Sequence, residues 1–347
     1  VLYSDFVKGE LQRLLARAKA RVDAPYEVGY HDERLRYRNW LSSINNDSGA
    51  WLKAGVSPKM FEMSNNEFVS AICRRNTVED PTIPKYTEFI SREDPLMFRC
   101  SCEGSSRPKR VDPYGNHLVG CKIGANAIRL HDEVVAMVAK LFRSLRLDAI
   151  VEPLRLFSDV DEDASNQRPD IFIRNPRGLG RQVIIDVAVT GVDGQSRSND
   201  EATERPLQAR YDQKMAKYGR IAEQSNLLFV PAVFSHTGQI HGDFKAFVRE
   251  QIKQKLVAFE GDAKPSKTRS TMKWWSKCIS MAIAKTASRN VAFKVAKMRE
   301  AIMEDQDEFL MRTSDQTEAG LERANATFLE DVAQNADLYI ANQSGSM

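Results

Sequence analysis

No run of apolar residues in this chain approaches the roughly 18 needed to cross a bilayer, so nothing in it reads as a membrane span. No stretch has the charged, apolar and small-residue order of a secretory leader. Cysteine is scarce, with five in 347 residues: Cys73, Cys100, Cys102, Cys121 and Cys278. The odd number and the crowding of three of them into 100–121 argue against a secreted disulfide scaffold and for an intracellular protein. Excess charge of one sign is lacking as well. Fifty Lys and Arg face 47 Asp and Glu, a net charge of +3, so the chain is not a polycation and the local distribution of charge matters more than its total. A composition 42% hydrophobic and 28% charged suits a globular protein, and the length suits about two domains of roughly 150 residues. The chain opens on Val1 and reads as a piece of something longer.

The most informative stretch runs from Arg168 to Val189. Two β-branched runs, Ile171-Phe172-Ile173 and Val183-Ile184-Ile185-Asp186-Val187-Ala188-Val189, flank a turn carrying Asn-Pro and Gly-x-Gly. That pattern predicts two antiparallel strands. Asp170 opens the first run and Asp186 lies inside the second. A carboxylate within an apolar run is costly to bury without a partner, and two acids on adjacent strands can share one hard cation, which can activate water against a phosphate. Pro169-Asp170, a hairpin and then Asp186 resemble the PD-(D/E)xK nuclease core. The resemblance implies that Asp170 and Asp186 bind Mg²⁺ or Mn²⁺. The lysine of that pattern is replaced by Ala188. A known variation of the family carries the lysine on the next helix, where Lys214 and Lys217 lie three apart on one face.

Residues 99–121 hold Cys100, Cys102, His117 and Cys121 in a turn-rich, polar segment. Three thiols and an imidazole suit a closed, tetrahedral, structural Zn²⁺ site; the alternative is a set of free buried thiols beside a surface histidine. A helix is predicted over 127–146, with an apolar stripe of Val134, Val135, Val138, Leu141, Phe142 and Leu145. His131, Asp132 and Glu133 fall in its first turns. The nuclease family often carries an acid toward the metal on this helix, which makes Glu133 the candidate and Asp132 the second choice. Glu133 also reads as an ordinary first-turn acid favoured by the helix dipole, and His131 as a local hydrogen-bonding residue. A first strand is predicted over 149–154, with Glu152 either toward the site or a strand-edge charge.

The order of these parts is similar to the C-terminal zinc-knuckle and restriction-enzyme-like endonuclease region of non-LTR retrotransposon proteins, over roughly residues 48–260. The resemblance implies a nuclear enzyme that nicks target DNA to prime reverse transcription, with element RNA and an attached or separate reverse transcriptase as partners. No Tyr-x-Asp-Asp occurs in the chain, so the polymerase is not part of it. The implied architecture is mixed α/β: a helical region over 1–95 that includes basic helices at 6–22 and 32–41 and a proline-spaced linker over 81–95, a zinc knuckle over 96–125, a PD-(D/E)xK core over 126–262, and a helical extension over 263–347. Within the core, 226–234 reads as a fourth strand and 244–259 as a helix exposing Lys245, Arg249, Lys253 and Lys255. The extension is basic to Arg299, with Trp274 and Trp275 either in the core or stacking on a base, and then acidic over 304–337. The competing readings are a nuclease fold that binds nucleic acid or protein and cuts nothing, and a zinc-stapled scaffold.

Overall fold

In the computed structural model the described residues are 39–54, 59–77, 80–83, 99–100, 109–111, 114–121, 125–154, 156–157, 168–191, 204–297 and 300. The elements in chain order begin with α1 over 39–44, 3₁₀ turns at Ala50–Lys53 and Lys59–Phe61, α2 (Asn65–Asn76), β1 (Arg99–Cys100), β2 (Lys109–Arg110) and α3 (Asn116–Val119). They continue with α4 (Asn126–Ser144), β3 (Ala149–Val151), β4 (Ile171–Ile173), β5 (Val183–Thr190), α5 (Glu204–Gln224), β6 (Leu228–Ser235), α6 (Gly242–Glu260) and α7 over 265–297. The chain divides into two compact units, 1–294 and 295–347, and everything below concerns the first. No helix among the described residues is long and apolar enough to cross a membrane.

The β-branched runs do form neighbouring strands, at the centre of a four-stranded mixed sheet ordered β3-β4-β5-β6. β3–β4 and β4–β5 are antiparallel, while β5–β6 is parallel and is joined through α5. β5 is buried along its first six residues rather than alternating, as expected for a strand covered on both faces. One face, carrying Phe172 and Ile184, packs on α5 through Tyr218, Ile221 and Ala222, with Phe157 and Phe229 beside them. The opposite face meets the aromatic contacts Phe234–Phe244 and Phe142–Phe244 at 5.5 and 6.4 Å between ring centroids. Every member of the apolar stripe expected for α4 is buried.

The N-terminal helical segment is fastened to this core by polar contacts. Lys245 Nζ donates to both carboxylate oxygens of buried Asp47, at 2.9 and 2.7 Å, and Ser276 Oγ joins at 3.2 Å. Lys245 is therefore engaged, not part of a solvent-facing basic stripe as its spacing on α6 suggests. Ser42 Oγ lies 2.6 Å from Thr237 Oγ1, in the turn after β6. Gly238 completes that turn at φ +100, where a Cβ would press on Ser280 and Ser48.

Three expectations need adjustment. β3 ends at Val151 instead of Leu154, because Glu152 takes a left-handed φ of 50. The expected linker does not begin loosely: Asp80 accepts from Ser70 Oγ at 2.5 Å and from Thr82 N at 2.9 Å, and Ile83 is buried. Trp274 and Trp275 separate, with Trp275 in the core against Phe142 and Trp274 exposed. The basic helix over 6–22, the first part of that expected from 32, residues 84–95 and the acidic tail over 304–337 lie outside the described residues.

Candidate functional site

The β4–β5 register builds the site. Ile171 pairs with Ile185, and continuing by one residue sets Asp170 opposite Asp186, where directly opposed side chains share a face. The hairpin holds the first carboxylate firmly: Val187 N donates to Asp170 Oδ2 at 2.5 Å, and the backbone of Glu152 donates to the Asp170 carbonyl at 2.8 Å. Lys214 comes down from α5, and its ammonium meets Asp186 Oδ2; the two side chains are 14% and 5% exposed. The contact is an ion pair between two nearly buried groups. Burial raises the Asp186 carboxyl above the usual carboxylate range and the charge of Asp170 adds to it, while Lys214 and Lys217 pull it back only in part.

His131 enters from α4. Its Nε2 lies 3.2 Å from Asp170 Oδ2 and its Nδ1 3.1 Å from Asp132 Oδ1. The hydrogen bond to Asp170, helped by Asp132 and opposed by burial, pushes His131 from 6.5 up to about 9. A group raised in the folded state gives its full stabilisation below the unfolded value, and loses it as pH climbs through the folded one. Thermal melting in chelator is therefore expected to weaken between pH 6.5 and about 9, and His131→Asn to flatten that decline. A variant whose melting profile keeps the wild-type slope would remove His131 as its source.

Tyr218 completes the cluster. Its hydroxyl accepts from Lys217 Nζ at 2.9 Å and donates to the Arg168 carbonyl at 3.3 Å. Burial raises the phenol, and the charges of Asp186 and Asp170 raise it further, so it stays protonated. Lys217, the other lysine of the spacing, lies over the Tyr218 ring at 4.4 Å instead of on a carboxylate. Sequence reasoning met Tyr218 only as the end of Lys-x-x-Lys-Tyr and treated His131 as local. The available signal for Tyr218 was its position four residues after Lys214, on the same face of α5.

Ala188 occupies the position where the PD-(D/E)xK pattern has a lysine. Two residues along β5 from Asp186, it is buried against Leu207, Val233 and Tyr211. α5 therefore lies directly over this position, and a long charged side chain has no room beneath it. Ala188→Lys is expected to cost at least about 1–3 kcal/mol from overpacking, read by denaturant unfolding, and to leave a Lys214 variant unrescued. Equal stability of Ala188→Lys and wild type would contradict this packing.

The remaining candidates separate. Glu133 is exposed and takes no part in the cluster, because two residues after His131 a helix has turned about 200° and faces the other way. Glu152 is exposed and lies 3.7 Å from Arg168, as a strand-edge charge. His117 lies on α3, and Cys121 is buried just beyond it. The Cys100 side chain and all of Cys102 lie outside the described residues. Among the described residues no group of three or more His, Cys, Asp or Glu could hold a metal ion. No protein-family model matches the chain, and no curated protein matches it significantly.

Proposed function

We propose that the chain is a metal-dependent endodeoxyribonuclease of the PD-(D/E)xK kind, which nicks target DNA by phosphodiester hydrolysis in a retrotransposon-type insertion. One observation carries the reading: Asp170 and Asp186 oppose each other on neighbouring strands, with the Lys214 ammonium delivered from the following helix. A hard divalent ion suits this donor set. Mg²⁺ takes one or two carboxylates and keeps waters for its other positions, so a third protein acid is not required. Asp186 is buried, and its carboxyl is raised by that burial and by the charge of Asp170 despite Lys214; the mutual repulsion of the two acids is what a cation would relieve.

When bound between Asp170 and Asp186, Mg²⁺ or Mn²⁺ would polarise the phosphoryl oxygens and lower the pKa of a water. The chain's own groups do the rest. Lys214 holds a fixed positive charge beside the carboxylates, where negative charge accumulates on phosphate during hydrolysis. Tyr218 remains a neutral donor that adds no negative charge, and His131 and Val187 N fix the orientation of Asp170. The zinc knuckle is proposed on Cys100, Cys102, His117 and Cys121, as a structural site that pins a polar segment. Chelation or Cys121→Ser should then lower the melting temperature, and zinc-free protein with wild-type melting would remove it. The reading places the protein in the nucleus with DNA, element RNA and a reverse transcriptase.

The absence of a third acid among the described residues favours one second reading, a nuclease fold that binds nucleic acid without cutting. Supercoiled plasmid with Mg²⁺ or Mn²⁺ separates the two, using wild type and Asp170→Ala, Asp186→Ala, Lys214→Ala and Lys217→Ala. Nicking lost in the first three variants and kept in Lys217→Ala supports the enzyme. No cleavage of any DNA form by wild type with either metal replaces it with the binding module.

A further inference from the structure

From Lys264 to Arg299 the sequence holds ten Lys and Arg and no Asp or Glu. α7 sorts the first half of that stretch into two faces. Residues 268, 272, 275, 276 and 279 are buried, whereas 266, 269, 270, 273 and 274 are exposed. The exposed positions recur at three- and four-residue intervals, so they form one stripe along the helix. Trp275 anchors the inner face, 1% exposed, with its ring 5.0 Å from Phe142. Trp274 stands on the outer face at 42% exposure. Its indole is braced edge-on by buried Phe61, 5.2 Å away at 70°, so part of a large aromatic ring faces solvent from a fixed mount.

The charges around this ring are uncompensated. Arg269, Lys273 and half-buried Lys277 share the stripe, Lys59 lies exposed two residues before Phe61, and none of them has an ion pair among the described residues. Lys267, by contrast, closes on Glu260. The positive surface continues onto α4: burial pushes the Cys278 thiol up to about 11, and Lys140 and Lys277 both pull it back. An acidic peptide would answer the charge but leave the braced indole unused, and a membrane interface, which accepts indoles, favours a ring free to sink among the headgroups over one held edge-on by Phe61. Duplex nucleic acid would answer the charge with its base faces already stacked. A strand with unpaired bases offers phosphates for the cations and ring faces for the tryptophan.

We infer that the Trp274 stripe of α7, with Arg269, Lys273, Lys277 and Lys59, is a binding site for single-stranded nucleic acid, with Trp274 stacking on an unpaired base. The site is separate from the Asp170–Asp186 cluster and does not depend on cleavage. The test uses the full chain in chelator, with labelled oligothymidylate and oligouridylate followed by fluorescence anisotropy at several salt concentrations. Trp274→Ala is expected to weaken binding about tenfold or more, and Trp274→Phe to keep most of the affinity. Arg269→Ala and Lys273→Ala should each reduce the salt slope by about 0.7. The two oligonucleotides tell whether DNA or RNA is preferred, and tight binding of either supports the site. Asp186→Asn should bind like wild type, so failure of the nuclease reading leaves this one standing. Should Trp274→Ala melt early, the exposed double substitution Arg269→Glu with Lys273→Glu takes its place. Unchanged affinity in the folded variants, or equal competition by duplex of the same length, would overturn the site, as would preferential binding to anionic vesicles.

Discussion

Asp186→Asn is expected to lower metal-dependent nicking by at least about a hundredfold while leaving the melting temperature unchanged or slightly higher. The loss follows from the carboxylate's place in the hairpin: it faces Asp170 across the β4–β5 pair, and asparagine offers a cation no charge. Metal-assisted charge stabilisation contributes several kcal/mol to such reactions, and each ~1.4 kcal/mol is tenfold in rate. The retained stability follows from electrostatics. Burial and Asp170 raise the Asp186 carboxyl despite Lys214, so at neutral pH its ionised form is a net cost to the fold. A group raised in this way stabilises fully below its unfolded value and loses that contribution as pH rises through the folded one. Asparagine removes the cost, and the freed Lys214 ammonium sits on a long stem that can turn toward water. Plasmid nicking and thermal melting on the same preparation check both halves. Full activity in Asp186→Asn would end the two-carboxylate reading, and a collapsed fold would show that the ion pair is structural.

The centre of this fold was legible because its information is local. Two β-branched runs and an Asn-Pro, Gly-x-Gly turn specify β4 and β5, and the register alone brings Asp170 opposite Asp186. The α4 stripe was legible for the same reason, since 3.6-residue periodicity reports one buried face. What sequence could not supply was how elements lie on one another. Whether Lys214 or Lys217 meets Asp186 depends on the rotation of α5 over the sheet. The same docking explains Ala188, which is small because Leu207 and Tyr211 rest on it, and that contact joins residues far apart in the chain. Glu133 lies exposed and away from His131, because a family expectation fixes a residue type and not a helical phase. Lys245 looked like a surface charge because its partner, Asp47, is 198 residues away.

Lys214→Met inverts the stability outcome. Methionine fills the aliphatic space of lysine but leaves the Asp186 carboxylate, 5% exposed, without its nearest counter-charge. Breaking a buried pair by removing one partner costs about 3–5 kcal/mol when the remaining charge cannot escape. Asp186 is fixed in β5 and cannot turn toward water, whereas Lys214 in the converse variant can. The carboxylate does have one way out, which is to take up a proton. With the Lys214 charge gone, its already raised pKa moves further upward. The sign of the pH dependence follows: the variant should come closest to wild type at acidic pH, as Asp186 takes up its proton, and fall progressively below it as pH rises and that proton is lost. Lys217→Met, whose ammonium contacts Tyr218 and acts on Asp186 only through its charge, less than Lys214 does, should show a smaller divergence. Denaturant unfolding of the two variants across that range, in chelator, is the measurement. A Lys214→Met deficit that stays constant with pH, or that Lys217→Met matches, would mean that the charge beside Asp186 is not held by Lys214.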